Sequence, residues 1–141
     1  MIDLSRPIEN PELINAIEGY MKNPAQETEF RMVNAIKGAN YISPVSVEGK
    51  IDGNAIQEGT TMTFALVINP NGDKFFPVFS DMSELRKWSE THQETLVASY
   101  NDMASLTITG LDGIKGFVIN PFTQNIIVTQ ERINYIKSLE K

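Results

Sequence analysis

Thr61-Met62-Thr63-Phe64-Ala65-Leu66-Val67-Ile68-Asn69, Pro70-Asn71-Gly72-Asp73-Lys74, Phe75-Phe76-Pro77-Val78-Phe79: this stretch reads as two strands and the turn that joins them. In an extended chain Met62, Phe64, Leu66 and Ile68 share one face while Ala65 and Val67 take the other, so Thr61 to Asn69 is expected to be a strand buried on both sides. Asn69 to Asp73 supplies the turn, because Pro70 presets its own φ and Asn71-Gly72 tolerates positive φ. Phe75 to Phe79 returns as the partner. Phe75 and Phe79 cannot share the face of Phe76 and Val78: either helices cover both faces, which is the expectation, or one set is exposed and wants a partner.

On the N-terminal side the texture is helical. Asn10-Pro11-Glu12 combines a capping residue type, Pro at the first helical position and an acid at the positive end of the dipole. Leu13, Ile14, Ile17, Tyr20 and Met21 then form one apolar stripe. After Asn23-Pro24 a second helix is expected over Ala25 to Lys37, burying Phe30, Met32, Val33 and Ile36 and stopping at Gly38. Tyr41 to Val47 reads as a strand whose Pro44 calls for an edge or an end. The glycine-rich, acidic stretch Glu48 to Gly59 reads as an exposed loop.

Beyond the hairpin, Asp81 is placed to cap a short helix, with Glu84 reaching back as in a capping box and Met82, Leu85 and Trp88 facing inward. A strand around Thr95 to Tyr100 precedes a helix capped by Asn101 or Asp102, with Met103, Leu106 and Ile108 as its apolar positions. Gly110 to Gly113 is a turn, Gly116 to Ile119 a strand, Asn120 to Thr123 a turn and Ile126 to Val128 a strand. Thr129 then caps a final helix that turns Ile133, Ile136 and Leu139 inward. Helices first, then a mixed or antiparallel sheet with a central hairpin, further short helices and a C-terminal helix make an α+β domain rather than a doubly wound one.

The 141 residues fit one domain, residues 1–141, large enough to fold without a metal or disulfide. With no cysteine there is no thiolate chemistry and no disulfide framework. The net charge is −6 and the pI about 4.8. Twelve basic residues scattered among eighteen acidic ones speak against nucleic acid and against anionic membranes as partners. The longest apolar run, Phe64 to Ile68, is too short to span a bilayer, and Met1 to Pro7 does not read as a secretory start, so cytoplasmic residence is expected.

No constellation for catalysis stands out, and no catalytic residue, metal or cofactor is expected. His92, the single histidine, would need Ser80 and Asp81 or Asp112 to make a triad, yet it sits in the polar run Ser89 to Glu94 with no nucleophile elbow nearby. Asp52, Glu58 and Asp73 lack the spacing of a calcium loop. Gly110, Gly113 and Gly116 precede a strand, whereas a phosphate loop opens a helix. Glu27 and Glu29 read as a wet helix face, and Met62 and Met82 as gap-fillers in the core.

Phe76-Pro77-Val78-Phe79-Ser80-Asp81 followed by Leu85 and Trp88, then Gly116-Phe117-Val118-Ile119-Asn120-Pro121 and the C-terminal helix after Val128, resemble the N-terminal domain of the SseB family, the "enhanced serine sensitivity" proteins. The likeness extends over roughly Met32 to Leu139. Nothing resembles the C-terminal domain of longer members, so the chain reads as a stand-alone version. The resemblance implies a bacterial protein and this fold, with no established activity attached. Phe79, Ser80, Asp81, Trp88, Asn120 and Pro121 are the candidate ligand or partner surface, set against the alternative that they are scaffold. The expectation is a non-catalytic interaction or regulatory domain with a protein partner or self-association. The alternative is a small-molecule binder, for an amino-acid-related ligand for instance, or an enzyme with a cleft near Ser80, Asp81 and Asn120.

Overall fold

A computed structural model describes residues 9–48, 51–52, 55–56, 61–89, 94–109 and 113–139. Two helices lead, α1 (Pro11–Lys22) and α2 (Gln26–Gly38). The strands β1 (Asn40–Glu48), β2 (Ile51–Asp52), β3 (Ala55–Ile56), β4 (Thr61–Phe64), β5 (Val67–Ile68) and β6 (Lys74–Val78) follow. The chain ends with α3 (Met82–Trp88), β7 (Thr95–Ser99), α4 (Tyr100–Thr109), β8 (Ile114–Ile119), β9 (Ile126–Thr129) and α5 (Gln130–Ser138). The fold is α+β, as expected. Among the described residues no helix is long and apolar enough to cross a membrane.

Among the described residues the strands form a three-stranded sheet, β4-β1-β7, a four-stranded sheet, β5-β6-β8-β9, and a two-stranded ladder of β2 and β3. The β6–β8 pair is parallel and the other ladders are antiparallel, so the sheet is mixed. Ile42 and Phe79 exchange two backbone hydrogen bonds of 2.9 Å and stitch the two sheets together. Pro44 therefore lies in a central strand. Its missing N–H falls on the edge where β1 leaves Phe79 and takes up β4: the Pro44 carbonyl accepts from Ala65 N at 3.1 Å, and the β4 ladder starts one residue on, at Val45 opposite Phe64. The proline ends one ladder without interrupting the strand.

The same junction corrects the reading of Thr61 to Asn69 as one doubly buried strand. The chain pairs with β1 through Phe64, keeps one more bond to it from Ala65 N, and after Leu66 pairs with β6 through Val67 and Ile68. Leu66 and Ile68 are exposed. Alternation describes a chain held in one sheet, and here it crosses from one strand's edge to another's. The turn behaves as its chemistry predicts. Gly72 has φ +86°, and the Asn69 side-chain oxygen accepts from the backbone N–H groups of Asn71 and Asp73 at 3.0 and 2.9 Å.

Phe75, Phe76, Val78 and Phe79 are all buried. Phe76 and Val78 join Phe117, Ile119 and Val128 against Leu13 and Ile17 of α1, Met32, Val33 and Ile36 of α2, Met103 of α4, and Ile133 and Ile136 of α5. On the opposite face Phe79 packs with Ile42 and with Leu85 of α3, Trp88 resting on them. Tyr41, fully buried, donates its hydroxyl to the Ile36 carbonyl at 2.6 Å. That bond satisfies an orphan carbonyl at the end of α2. Burial first, and Tyr100 beside it second, hold the Tyr41 hydroxyl far above the usual phenol range.

Several inward positions are corrected. Met21, Phe30, Met82, Ile108 and Leu139 are exposed. Met21 and Phe30 lie at the margins of stripes filled by Leu13 and Ile17, and by Met32, Val33 and Ile36. Met82 opens a helix of only seven residues, in which Leu85 and Trp88 already fill the contact with Phe79. In α4 the buried partner is Thr107, whose hydroxyl donates to the Met103 carbonyl at 2.9 Å and so enters the core satisfied. The helix is capped by Ser99, which accepts from Asp102 N while Asp102 accepts from Ser99 N. Leu139 falls in the cap of α5. The stretch Glu48 to Gly59 contains the β2–β3 ladder. Glu48 closes β1, and the rest of the stretch, together with His92 and Gly110 to Asp112, lies outside the described residues, as do the side chains of Asp52 and Met62.

Candidate functional site

Because β6 and β8 run parallel, with Val78 beside Ile119, their carboxyl ends deliver Ser80 and Asn120 to the same edge of the sheet. The Asn120 N–H extends the ladder to the Val78 carbonyl at 2.9 Å. The chain then reverses: Asn120 adopts φ +51°, a conformation that Asn tolerates better than most residues. Its carbonyl accepts from Thr123 N and Asn125 N at 3.0 and 2.9 Å. The turn expected at Asn120-Pro121 is therefore held by the backbone carbonyl, and the side chain is left free for another task.

That side chain closes a clasp. Its Oδ1 accepts from Ser80 N at 2.9 Å, and its Nδ2 donates to Ser80 Oγ at 2.9 Å and to Gln124 Oε1 at 3.0 Å. Ser80 Oγ in turn donates to Asp81 Oδ2 at 3.0 Å, while Asp81 Oδ1 caps α3 by accepting from Glu84 N at 2.9 Å. Asn10 enters from α1. Its Nδ2 donates to the Ser80 carbonyl at 2.7 Å and to the Asn40 carbonyl at 2.8 Å instead of capping its own helix. Glu84 does not complete a capping box. Its carboxylate takes Lys87 Nζ at 2.8 Å and lies 2.5 Å from the Thr123 hydroxyl, tying α3 to the β8–β9 turn.

Every polar atom of Ser80 is thus engaged within the fold, and both Ser80 and Asn120 are 0% exposed. Phe79 is equally buried, Asp81, Trp88 and Pro121 partly exposed. The Trp88 ring lies 6.3 Å from Phe79 and 6.4 Å from Phe122, centroid to centroid, and Phe122 is 53% exposed. The six candidate residues therefore come together, but as two layers: a sealed polar clasp, and an aromatic cap whose outer ring sequence reasoning assigned only to a turn. Asn10, Thr123 and Gln124 were missed as partners. Their only sequence signals were a helix cap and a turn, because each reaches across a wide sequence separation or a reversal of the chain.

Of the candidate residues, Asp81 borders a concavity. A cleft of about 340 Å³ between the starts of α1 and α3 meets Asp81, Met82 and Asn10 but neither Ser80 nor Asn120. A trough of about 380 Å³ lies between α2 and α5, over Ile126 and Val128 of β9. No sequence motif marks it, since it is the gap left between two separately legible apolar stripes.

The family model for the SseB protein N-terminal domain matches residues 13–134, nearly the whole of this architecture. The chain belongs to the SseB family. Comparison with curated proteins and with solved structures gives no significant match to either. In this SseB domain the Gly-x-x-x-Asn-Pro element has a physical reading at both ends. A Cβ on Gly116 would collide with the Val128 carbonyl oxygen and stand 2.9 Å from Thr129 Cα, so β9 can cross β8 there only over a glycine. Asn120 supplies both the left-handed turn and the clasp.

Proposed function

We propose that this SseB domain is a non-catalytic interaction or regulatory module, acting on a protein partner or on a second copy in the bacterial cytoplasm. The observation that carries the reading is the clasp. The Ser80, Asp81 and Asn120 groups, which on sequence alone could have met a ligand, are hydrogen-bonded to one another, to Asn10, to Gln124 and to the start of α3, with Ser80 and Asn120 fully buried. Ser80 Oγ has no exposure through which to attack or bind a substrate. The domain's exposed apolar groups include Phe122, over Trp88, and those lining the trough between α2 and α5.

Light scattering after size exclusion, followed by affinity capture from lysate of the source organism and mass spectrometry of what is retained, tests the reading. The expected outcome is a reproducible stoichiometric partner or a defined oligomer. A monomer that retains nothing in repeated captures would refute it. A thermal-shift screen of amino acids and nucleotides addresses the small-molecule alternative, for which a saturable rise in melting temperature is the requirement.

A further inference from the structure

The floor of the trough between α2 and α5 is apolar, with Met32 and Val33 on one side and Ile126 and Val128 of β9 beneath. Its volume is about 380 Å³. The rim is polar and unusual in one respect. Glu29 of α2 and Glu131 and Arg132 of α5 border it, with Tyr20 and Tyr135. Among the described residues their side chains make no hydrogen bond or ion pair. The pairs Glu27–Arg31 and Glu84–Lys87, by contrast, are closed at 3.6 and 2.8 Å.

We propose that this trough is the docking site for a basic amphipathic segment of a partner protein, laid between α2 and α5 with its apolar side on the floor. The proposal rests on the interaction reading above and names its partner's chemistry. Two helices with an apolar floor between them are the geometry that receives an amphipathic helix by its i, i+3, i+4 anchors. Charge selects the sign. The rim carries two carboxylates against one guanidinium, on a chain of net charge −6, so a basic segment is drawn in and an acidic one repelled. The same repulsion disfavours a second copy of this chain as the occupant. Tyr20, half-buried, and Tyr135, 50% exposed, are of the type that anchors interfaces at low entropic cost.

The test uses three labelled synthetic peptides of equal length: a Leu/Lys amphipathic helix, its Leu/Glu counterpart, and a Ser/Lys peptide with the same charge and no apolar side. Fluorescence anisotropy should show saturable binding of the Leu/Lys peptide alone. In the Glu29→Lys/Glu131→Lys variant the preference should pass to the Leu/Glu peptide, and Tyr135→Ala should weaken Leu/Lys binding by about tenfold. Tyr135 and Glu131 are exposed and Glu29 half-buried, so a melting curve suffices to confirm that the variants fold. Equal binding of the Ser/Lys peptide, no binding of the Leu/Lys peptide, or binding indifferent to both variants overturns the proposal. If affinity capture yields a partner that the charge-swapped variant retains equally well, the trough is wrong and the module reading stands. If the chain is a monomer and capture yields nothing, the module reading itself falls.

Discussion

Replacing Asn120 by alanine probes the clasp directly. The substitution removes three side-chain hydrogen bonds, to Ser80 N, Ser80 Oγ and Gln124 Oε1. Ser80 is 0% exposed, so water cannot replace the acceptor lost to its N–H. An orphaned buried donor costs roughly 1–3 kcal/mol. The backbone adds a second cost, because alanine at φ +51° is strained by about 1 kcal/mol more than asparagine there. The sum is about 3 kcal/mol, a large share of the roughly 5–15 kcal/mol that holds a domain together. It corresponds to a fall of about 10 °C in melting temperature for a chain of this size. Trp88, the single tryptophan, stands 6.3 Å from Phe79 beside the clasp and reports unfolding in urea by its fluorescence. Asn120→Gly separates the two costs. It loses the same bonds but relieves the left-handed strain, so after its own entropy penalty it should be milder than alanine by about 0.5–1 kcal/mol. A loss below about 1 kcal/mol for Asn120→Ala, or a glycine variant less stable than the alanine one, would refute the reasoning.

Two further outcomes follow from the same geometry. Gly116→Ala should cost about 3 kcal/mol or more, because its Cβ would meet the Val128 carbonyl and Thr129 Cα, which cannot rotate away as a side chain could. A melting temperature within about 2 °C of the parent would contradict this. Tyr41 keeps its proton more tightly in the folded chain than in the unfolded one, owing to burial and Tyr100. Its contribution is therefore complete below the unfolded value of about 10 and lost progressively as pH rises past it. Urea unfolding between pH 8 and 11 should show alkaline loss of stability that is smaller in Tyr41→Phe, and an identical pH slope in both proteins would rule the tyrosine out.

Much of this molecule was legible from short segments. Asn69 to Asp73 is its own turn, Asp81 and Thr129 are caps read from the residues beside them, and Pro11 marks the start of α1, because each depends on atoms within a few positions along the chain. Stripes such as Met32, Val33 and Ile36 named buried faces for the same reason. Misplacement came where a residue's fate depends on something distant. Leu66 and Ile68 alternate like core residues, yet the chain changes sheets beneath them. Asn10 has the chemistry of a cap but spends its amide on Ser80, seventy positions away in sequence.

The sequence alone therefore determined the helices, the hairpin turn, the alternation of the strands and the SseB relationship, since these are carried by backbone preference and by periodic apolar side chains. Only the tertiary structure decided that Ser80 and Asn120 satisfy each other and that an apolar trough opens between α2 and α5. A hydrogen bond spanning 40 residues, or a gap between two helices, exists only after parallel strands and packed faces have brought those atoms together.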